Sequence, residues 1–241
     1  MIEARGLAKR YGTVVALHDV GFIAQDRRIT GLLGPNGAGK STTLRILQTI
    51  LRPDGGEAWL DGESVATAPL SARSRIGVLP HNAGLYSQLT ARENIEYFGR
   101  LSGLSRQAAR ERCNVLVRQL DLAEFADRRT KGFSQGQRVK TALARALVHE
   151  PRNLMLDEPT NGLDVPAVRA LREVLRSLRD AGHCILFSSH VMHEVAGLCD
   201  EVVVIAGGRV VAQGTPEGVR ARTGAADLEQ AFLALTGEEG R

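Results

Sequence analysis

Eight consecutive residues, Gly34, Pro35, Asn36, Gly37, Ala38, Gly39, Lys40 and Ser41, match the phosphate-holding pattern G-x-x-x-x-G-K-[ST]. The three glycines let the backbone curl until successive N–H groups converge on one anion, and a helix opening near Gly39 adds the positive end of its dipole. Lys40 supplies a mobile charge for β- and γ-phosphates. Ser41 offers the small hydroxyl oxygen that a hard, octahedral Mg²⁺ prefers, and Thr42 extends the same turn. The chemistry needs a strand before the loop and a helix after it. The apolar run 29–33 and the face made by Leu44, Leu47 and Leu51 supply both, a frame that a chance glycine-rich turn would lack.

A second pair of groups lies far downstream. Leu154, Met155 and Leu156 lead into Asp157 and Glu158, two carboxylates at the end of a short apolar strand, the edge where open α/β sheets place ligands. Asp157 is suited to hold a Mg²⁺-bound water beside Ser41, and Glu158 to orient the water that attacks a γ-phosphate. The bland alternative is two surface acids at a strand end. Ser134 and Gln137 have capping-box spacing ahead of Val139, Leu143, Ala146 and Leu147, which leaves Gly136 unexplained. Glycine in a first helical turn costs about 1 kcal/mol against alanine, so its presence points to close approach by a backbone or a phosphate, a second anion site.

The elements that must position these groups are legible in outline. Short strands and turns are expected at 2–7, 14–17 and 22–24, and residues 57–60 before Asp61 and Gly62 read as half a hairpin. The runs 76–79, 154–156 and 185–187 are too short for helices and read as buried parallel strands. Between the first two lies a helical stretch, roughly 90–148, longer than one crossover requires. It reads as an insertion. Thr90 and Glu93 open its first helix, and Gly132 with Phe133 marks the break before its last. A hairpin from 202 to 212 turning at Gly207 and Gly208, and a helix near 228–235, complete the chain.

The chain has 241 residues, 43% of them hydrophobic, and a formal net charge of +4. That size supports a substantial core, and no apolar run approaches the ~18–20 residues needed to cross a bilayer. The charged start at Glu3 and Arg5 lacks a signal-peptide core, so a cytoplasmic location is expected. The charge is too mild to imply nucleic acid, and no such partner is expected; a position near anionic lipid is compatible with it. Cys113, Cys184 and Cys199 fit reduced thiols. His190 and His193 lie three apart without carboxylate or thiolate company, a weak metal pattern.

With these motifs in this order, the chain resembles the ATP-binding cassette (ABC) ATPases over nearly its whole length. Residues 133–137 are similar to the family signature L-S-G-G-Q, which caps the γ-phosphate of a nucleotide held by the partner subunit. Tyr11 lies where an aromatic ring stacks on adenine, residues 161–164, ending in Asp164, where a loop links the two sites across a dimer, and His190 where the family has its switch histidine. Taken singly, Tyr11 reads as a half-buried strand aromatic, Asp164 as a helix cap and His190 as a loop histidine. The resemblance implies an α/β fold: a P-loop ABC ATPase with a RecA-like, mostly parallel core, an antiparallel β portion and an inserted helical subdomain. It implies one domain over 1–241, with the core in 1–89 and 150–215, the helical signature subdomain in 90–149 and a helical tail in 216–241. It further implies ATP and Mg²⁺ as cofactors, with Lys40, Glu158 and His190 catalytic.

Two departures stand out. Phe133 and Gln135 replace the leucine and first glycine of the signature, and His81 stands where the family has a glutamine that offers its amide oxygen to Mg²⁺. Imidazole is a poor ligand for that cation, so either Asn82 or a water held by His81 is expected to fill the gap. Residues 89–95, 97–101, 132–134 and 185–190 resemble the NatA-type sodium-exporter ATPases most. The partners implied are a second copy, or a closely related ATPase, with ATP between them, and a separate integral-membrane permease, with this chain peripheral on the inner face of the cell membrane. Residues 128, 129 and 131, all basic, read either as a solvated face or as a contact to permease or headgroups. The rival readings are a soluble ABC ATPase acting as a regulator or a repair or translation factor, and a P-loop small-molecule kinase.

Overall fold

The computed structural model describes residues 1–82 and 84–237, apart from the side chains of His193 and Glu194. Ten strands form one mixed sheet: β1 (Ile2–Tyr11), β2 (Val14–Ala24), β3 (Ile29–Leu33), β4 (Gly55–Leu60), β5 (Glu63–Ser64), β6 (Ile76–Leu79), β7 (Asn153–Asp157), β8 (Cys184–Ser189), β9 (Glu201–Ala206) and β10 (Arg209–Gly214), in the order β5-β4-β1-β2-β10-β9-β3-β8-β7-β6. The nine helices of the described residues are α1 (Lys40–Leu47), α2 (Pro69–Ser74), α3 (Ala91–Leu101), α4 (Arg106–Gln119), α5 (Gln135–Leu147), α6 (Val165–Asp180), α7 (Met192–Ala196), α8 (Pro216–Thr223) and α9 (Leu228–Thr236).

Strands β3, β6, β7 and β8 run parallel, as their continuous apolar character predicts, and β9 joins β3 in the same sense. Helices cover both faces. Leu33, Leu154, Leu156, Ile185 and Phe187 pack with Leu143 and Leu147 of α5 and Leu171 and Leu175 of α6, while the alternate residues Leu32, Met155 and Leu186 pack with Leu44, Ile46 and Leu47 of α1. Parallel strands that share a direction end at one sheet edge. The loops after β3, β6, β7 and β8 therefore bring residues 34–41, 81, 157–158 and 190 to one side.

The opening segment differs from expectation. Residues 14–17 and 22–24 are parts of one strand, β2, which pairs antiparallel with β1 across the turn at Gly12 and Thr13. Register shifts after Ala4, Leu7 and Lys9 absorb the residues that interrupt the alternation. The hairpin of β4 and β5 turns through Asp61 (φ 50°) and Gly62 (φ 82°), matching the expected half-hairpin.

Helices α3, α4 and α5 occupy the long segment between β6 and β7. Thr90 caps α3 with the expected box, Oγ1 accepting from Glu93 N and Glu93 Oε2 accepting from Thr90 N. Asn94, fully buried on α3, ties the preceding loop down: its amide donates to the Tyr86 and Thr90 carbonyls at 3.1 and 2.8 Å, and its oxygen accepts Tyr86 N at 2.9 Å. Arg145 of α5 lies over the Phe98 ring and donates to Gly84 O at 3.0 Å, so the segment 84–90 is held from two helices. The tail comprises α8 and α9; residues 238–241 of the expected tail lie outside the described residues.

Candidate functional site

The loop 34–41 leaves the buried end of β3 and becomes α1. Gly34 sits against the neighbouring strand, where a Cβ would meet Ile205 O at 2.3 Å, so no larger residue fits. Gly37 (φ 81°) and Gly39 (φ 111°) take left-handed conformations, and a Cβ on Gly39 would strike Leu17 and Ala16 O. Gly39 is the N-cap of α1 and brings no side chain to the first N–H groups of the helix, while the first turn holds no acid. Those donors are oriented for an outside anion.

Lys40 is buried, its Nζ donating to Gly34 O and Pro35 O at 2.5 and 3.0 Å. Burial pushes its ammonium below the ordinary lysine value, with Glu158 and Asp157 holding it up in part. The ammonium thus folds back on its own loop, next to two acids. A cleft of about 160 Å³ is lined by Ala16, Pro35, Asn36, Gly37, Gly39, Lys40, Ser41, Thr42 and Glu158. Ala38 is buried behind it, its carbonyl accepting Gly208 N at 3.0 Å. Tyr11 stays 44% exposed at the tip of the β1–β2 hairpin and is not among the residues lining this cleft.

Glu158 follows β7 with φ 49°, a left-handed backbone that a non-glycine residue holds at a cost of order 1–3 kcal/mol unless its surroundings fix it. They do. Glu158 N donates to Ser188 O at 3.2 Å and Ser188 Oγ at 3.1 Å, and Glu158 O accepts Asn161 N at 3.1 Å. His190 Nδ1 lies 3.1 Å from Glu158 Oε1, and a second polar cleft of about 140 Å³ joins Glu158 and His190 to Thr160, Asn161 and Gly162. His81 approaches the other oxygen, Nδ1 to Oε2 at 3.5 Å. Asn82 turns its Oδ1 to Gly84 N at 3.3 Å. Asp157 accepts Ser188 Oγ on Oδ1, which leaves Oδ2 and the Ser41 hydroxyl as hard oxygen donors fitted to Mg²⁺.

None of residues 133–137 lines the cleft around Lys40. Phe133 is 5% exposed and packs edge-to-face on Phe125 at 5.3 Å, so it anchors the segment in the core. Ser134 and Gln137 complete the capping box, Oγ accepting Gln137 N at 3.2 Å and Oε1 accepting Ser134 N at 3.1 Å. Gln135 Nε2 reaches Asn161 O at 3.4 Å. A Cβ on Gly136 would meet only Ala167 Cβ at 3.6 Å and Ser134 Oγ at 4.0 Å, so the chain itself does not require glycine there. Asp164 caps α6 through Ala167 N at 2.9 Å. Among the described residues there is no group of three or more His, Cys, Asp or Glu that could hold a metal, and the side chain of His193 lies outside them.

Reading the sequence missed the parts played by Ser188, Asn94 and Arg145. Ser188 closes an apolar run and Asn94 interrupts the buried face of α3, which are the signals that could have drawn attention to them.

Residues 17–161 match the family model described as ABC transporter. The chain is 40% identical to the ABC transporter ATP-binding protein NatA of Bacillus subtilis (strain 168), over 91% of this chain and 90% of that protein. It is 42% identical to the Nod factor export ATP-binding protein I of Burkholderia lata, over 90% of this chain and 72% of that one. The dimeric structure of a bacterial ABC transporter cassette superposes with a TM-score of 0.80 at 25% identity, covering 89% of this chain and 98% of that one.

Proposed function

The chain belongs to the ABC transporter family and is an ATP-binding, ATP-hydrolysing subunit that powers a membrane transporter; from that premise we propose how its residues divide the work. Residues 34–42 cradle the phosphates on backbone N–H groups and Lys40. Ser41 and Asp157 would hold Mg²⁺, which supplies a Lewis acid to the phosphate oxygens when bound. Glu158 orients the attacking water as general base, and His190, on its Oε1, fixes the carboxylate and follows the γ-phosphate. Tyr11 stacks on the base from the hairpin tip.

The observation that carries the mechanism is the separation of the two anion-facing turns. The loop 34–41 and Glu158 share one cleft, whereas none of Ser134, Gln135, Gly136 and Gln137 lines it. Two copies, or this chain and a close relative, joined head to tail would place residues 133–137 of one on nucleotide held by the other. The loop that ends in Asp164 lies between Glu158 and Gln135, Asn161 donating N–H to Glu158 O and accepting Gln135 Nε2 on its own carbonyl. ATP then contributes contacts only in the closed pair, so binding favours closure and hydrolysis weakens it. A related cassette is dimeric, which supports this reading.

No helix of the described residues is long and apolar enough to cross a membrane. The relatives named as ATP-binding proteins of transporters support assigning the transport path to a separate permease, with this subunit docked on its cytoplasmic side. The relative named for Nod factor export favours export as the direction.

Glu158→Gln tests the scheme: phosphate release should fall by about 10²–10⁴ while ATP is retained and a dimer accumulates in size-exclusion chromatography. A variant that stays monomeric with full turnover refutes it.

A further inference from the structure

His81 lies at the head of the segment that Arg145 and Asn94 pin to the helices through Gly84, Tyr86 and Thr90. The same segment lines a groove made by Tyr86, Ser87, Gln88, Leu89 and Tyr97. His81 itself is half-exposed and points back to the sheet edge, its Nδ1 3.5 Å from Glu158 Oε2. His190 Nδ1 stands 3.1 Å from Glu158 Oε1. Two imidazoles thus face the two oxygens of one carboxylate, His190 at hydrogen-bond distance and His81 at ion-pair distance.

This matters because the terminal torsion of a glutamate is soft and roughly two-fold, so a single partner leaves the carboxylate plane free to swing. Partners on both oxygens fix it. A general base must present a lone pair to its water within hydrogen-bond reach, and a misplacement of about 1 Å can cost up to 10²-fold in rate.

We propose that His81 is a positioning residue for Glu158: it holds Oε2 while His190 holds Oε1, and so ties the 84–90 segment to the water-orienting carboxylate. The inference rests on Glu158 acting as the base. Nδ1 is the atom involved, and it stands at the position of Asn Nδ2, one Cγ beyond Cβ. Asparagine can therefore present an N–H to Oε2 from the same place where alanine cannot. A role on Mg²⁺ would make a different demand, because asparagine and alanine would then change the metal requirement.

The test is steady-state phosphate release by the full chain, titrated separately in ATP and in Mg²⁺. His81→Ala should lower kcat about tenfold, leave the KM for ATP and half-saturating Mg²⁺ within about twofold of wild type, and leave the melting temperature unchanged; His81→Asn should recover most of kcat. An unchanged kcat in His81→Ala, a loss that excess Mg²⁺ restores, or an asparagine variant as slow as alanine would overturn it. Glu158→Gln in the same assay separates the two ideas: full turnover there removes the base itself, whereas loss there with an indifferent His81 removes only the positioning role.

Discussion

Ser188 Oγ donates a 2.6 Å hydrogen bond to Asp157 Oδ1 across the β7–β8 pair. The same buried hydroxyl accepts Glu158 N at 3.1 Å, so one serine orients the side chain of the first acid and the backbone of the second. If Asp157 holds Mg²⁺ as proposed, losing its orienting donor costs about 10–100-fold in metal affinity or activity. Ser188→Ala should raise half-saturating Mg²⁺ about tenfold and destabilise the fold by about 1–2 kcal/mol. Phosphate release across a Mg²⁺ titration reads the first and urea unfolding the second; an unshifted Mg²⁺ curve would leave Ser188 a strand residue only.

Gly136 separates stability from function by sign. Alanine fits at this position in the first turn of α5, with Ala167 Cβ at ordinary contact distance. Gly136→Ala should stabilise the chain by up to about 1 kcal/mol, a rise of roughly 2–4 °C in melting temperature at this size. ATP-induced dimerisation and turnover should fall, because in the proposed head-to-tail pair the added methyl would meet the partner's nucleotide. A stabilised variant with wild-type turnover would show that no phosphate meets this turn.

What could be read without the structure follows chain locality. Residues 34–41 carry their own geometry, since the pattern, its strand and its helix are contiguous, and Asp157 and Glu158 are marked by the apolar run before them. The capping boxes at Thr90 and Ser134 were legible for the same reason. Strand β2 was not, because the consecutive polar residues His18 and Asp19 break its alternation and only its pairing along β1 makes it one strand. Helices α2 and α8 open on Pro69 and Pro216, and each buries little apolar surface of its own; packing completes them. His81 and Glu158 are brought together by parallel strands β6 and β7, with α3, α4 and α5 between them in the chain, so no local pattern could pair them.

Two histidines away from the cleft set a pH dependence of folding. His149 lies 3.0 Å from Ile76 O through Nε2, and burial pushes its pKa below the ordinary value, the Ile76 contact offsetting this in part. Burial also lowers His183, against backbone contacts from Pro151 and Arg152. The unfolded chain takes up these protons first as pH falls, near pH 6.5. Their contribution to stability is therefore present above about pH 6.5 and is lost as pH falls from there towards the folded values, by at most about 1.4 kcal/mol per pH unit for each group. Glutamine at 149 keeps an N–H for Ile76 O and cannot titrate. Urea unfolding at pH 7.5 and 5.5 should show a smaller loss for His149→Gln than for wild type, and equal losses would mean that His149 carries its proton in the folded state as readily as in the unfolded one.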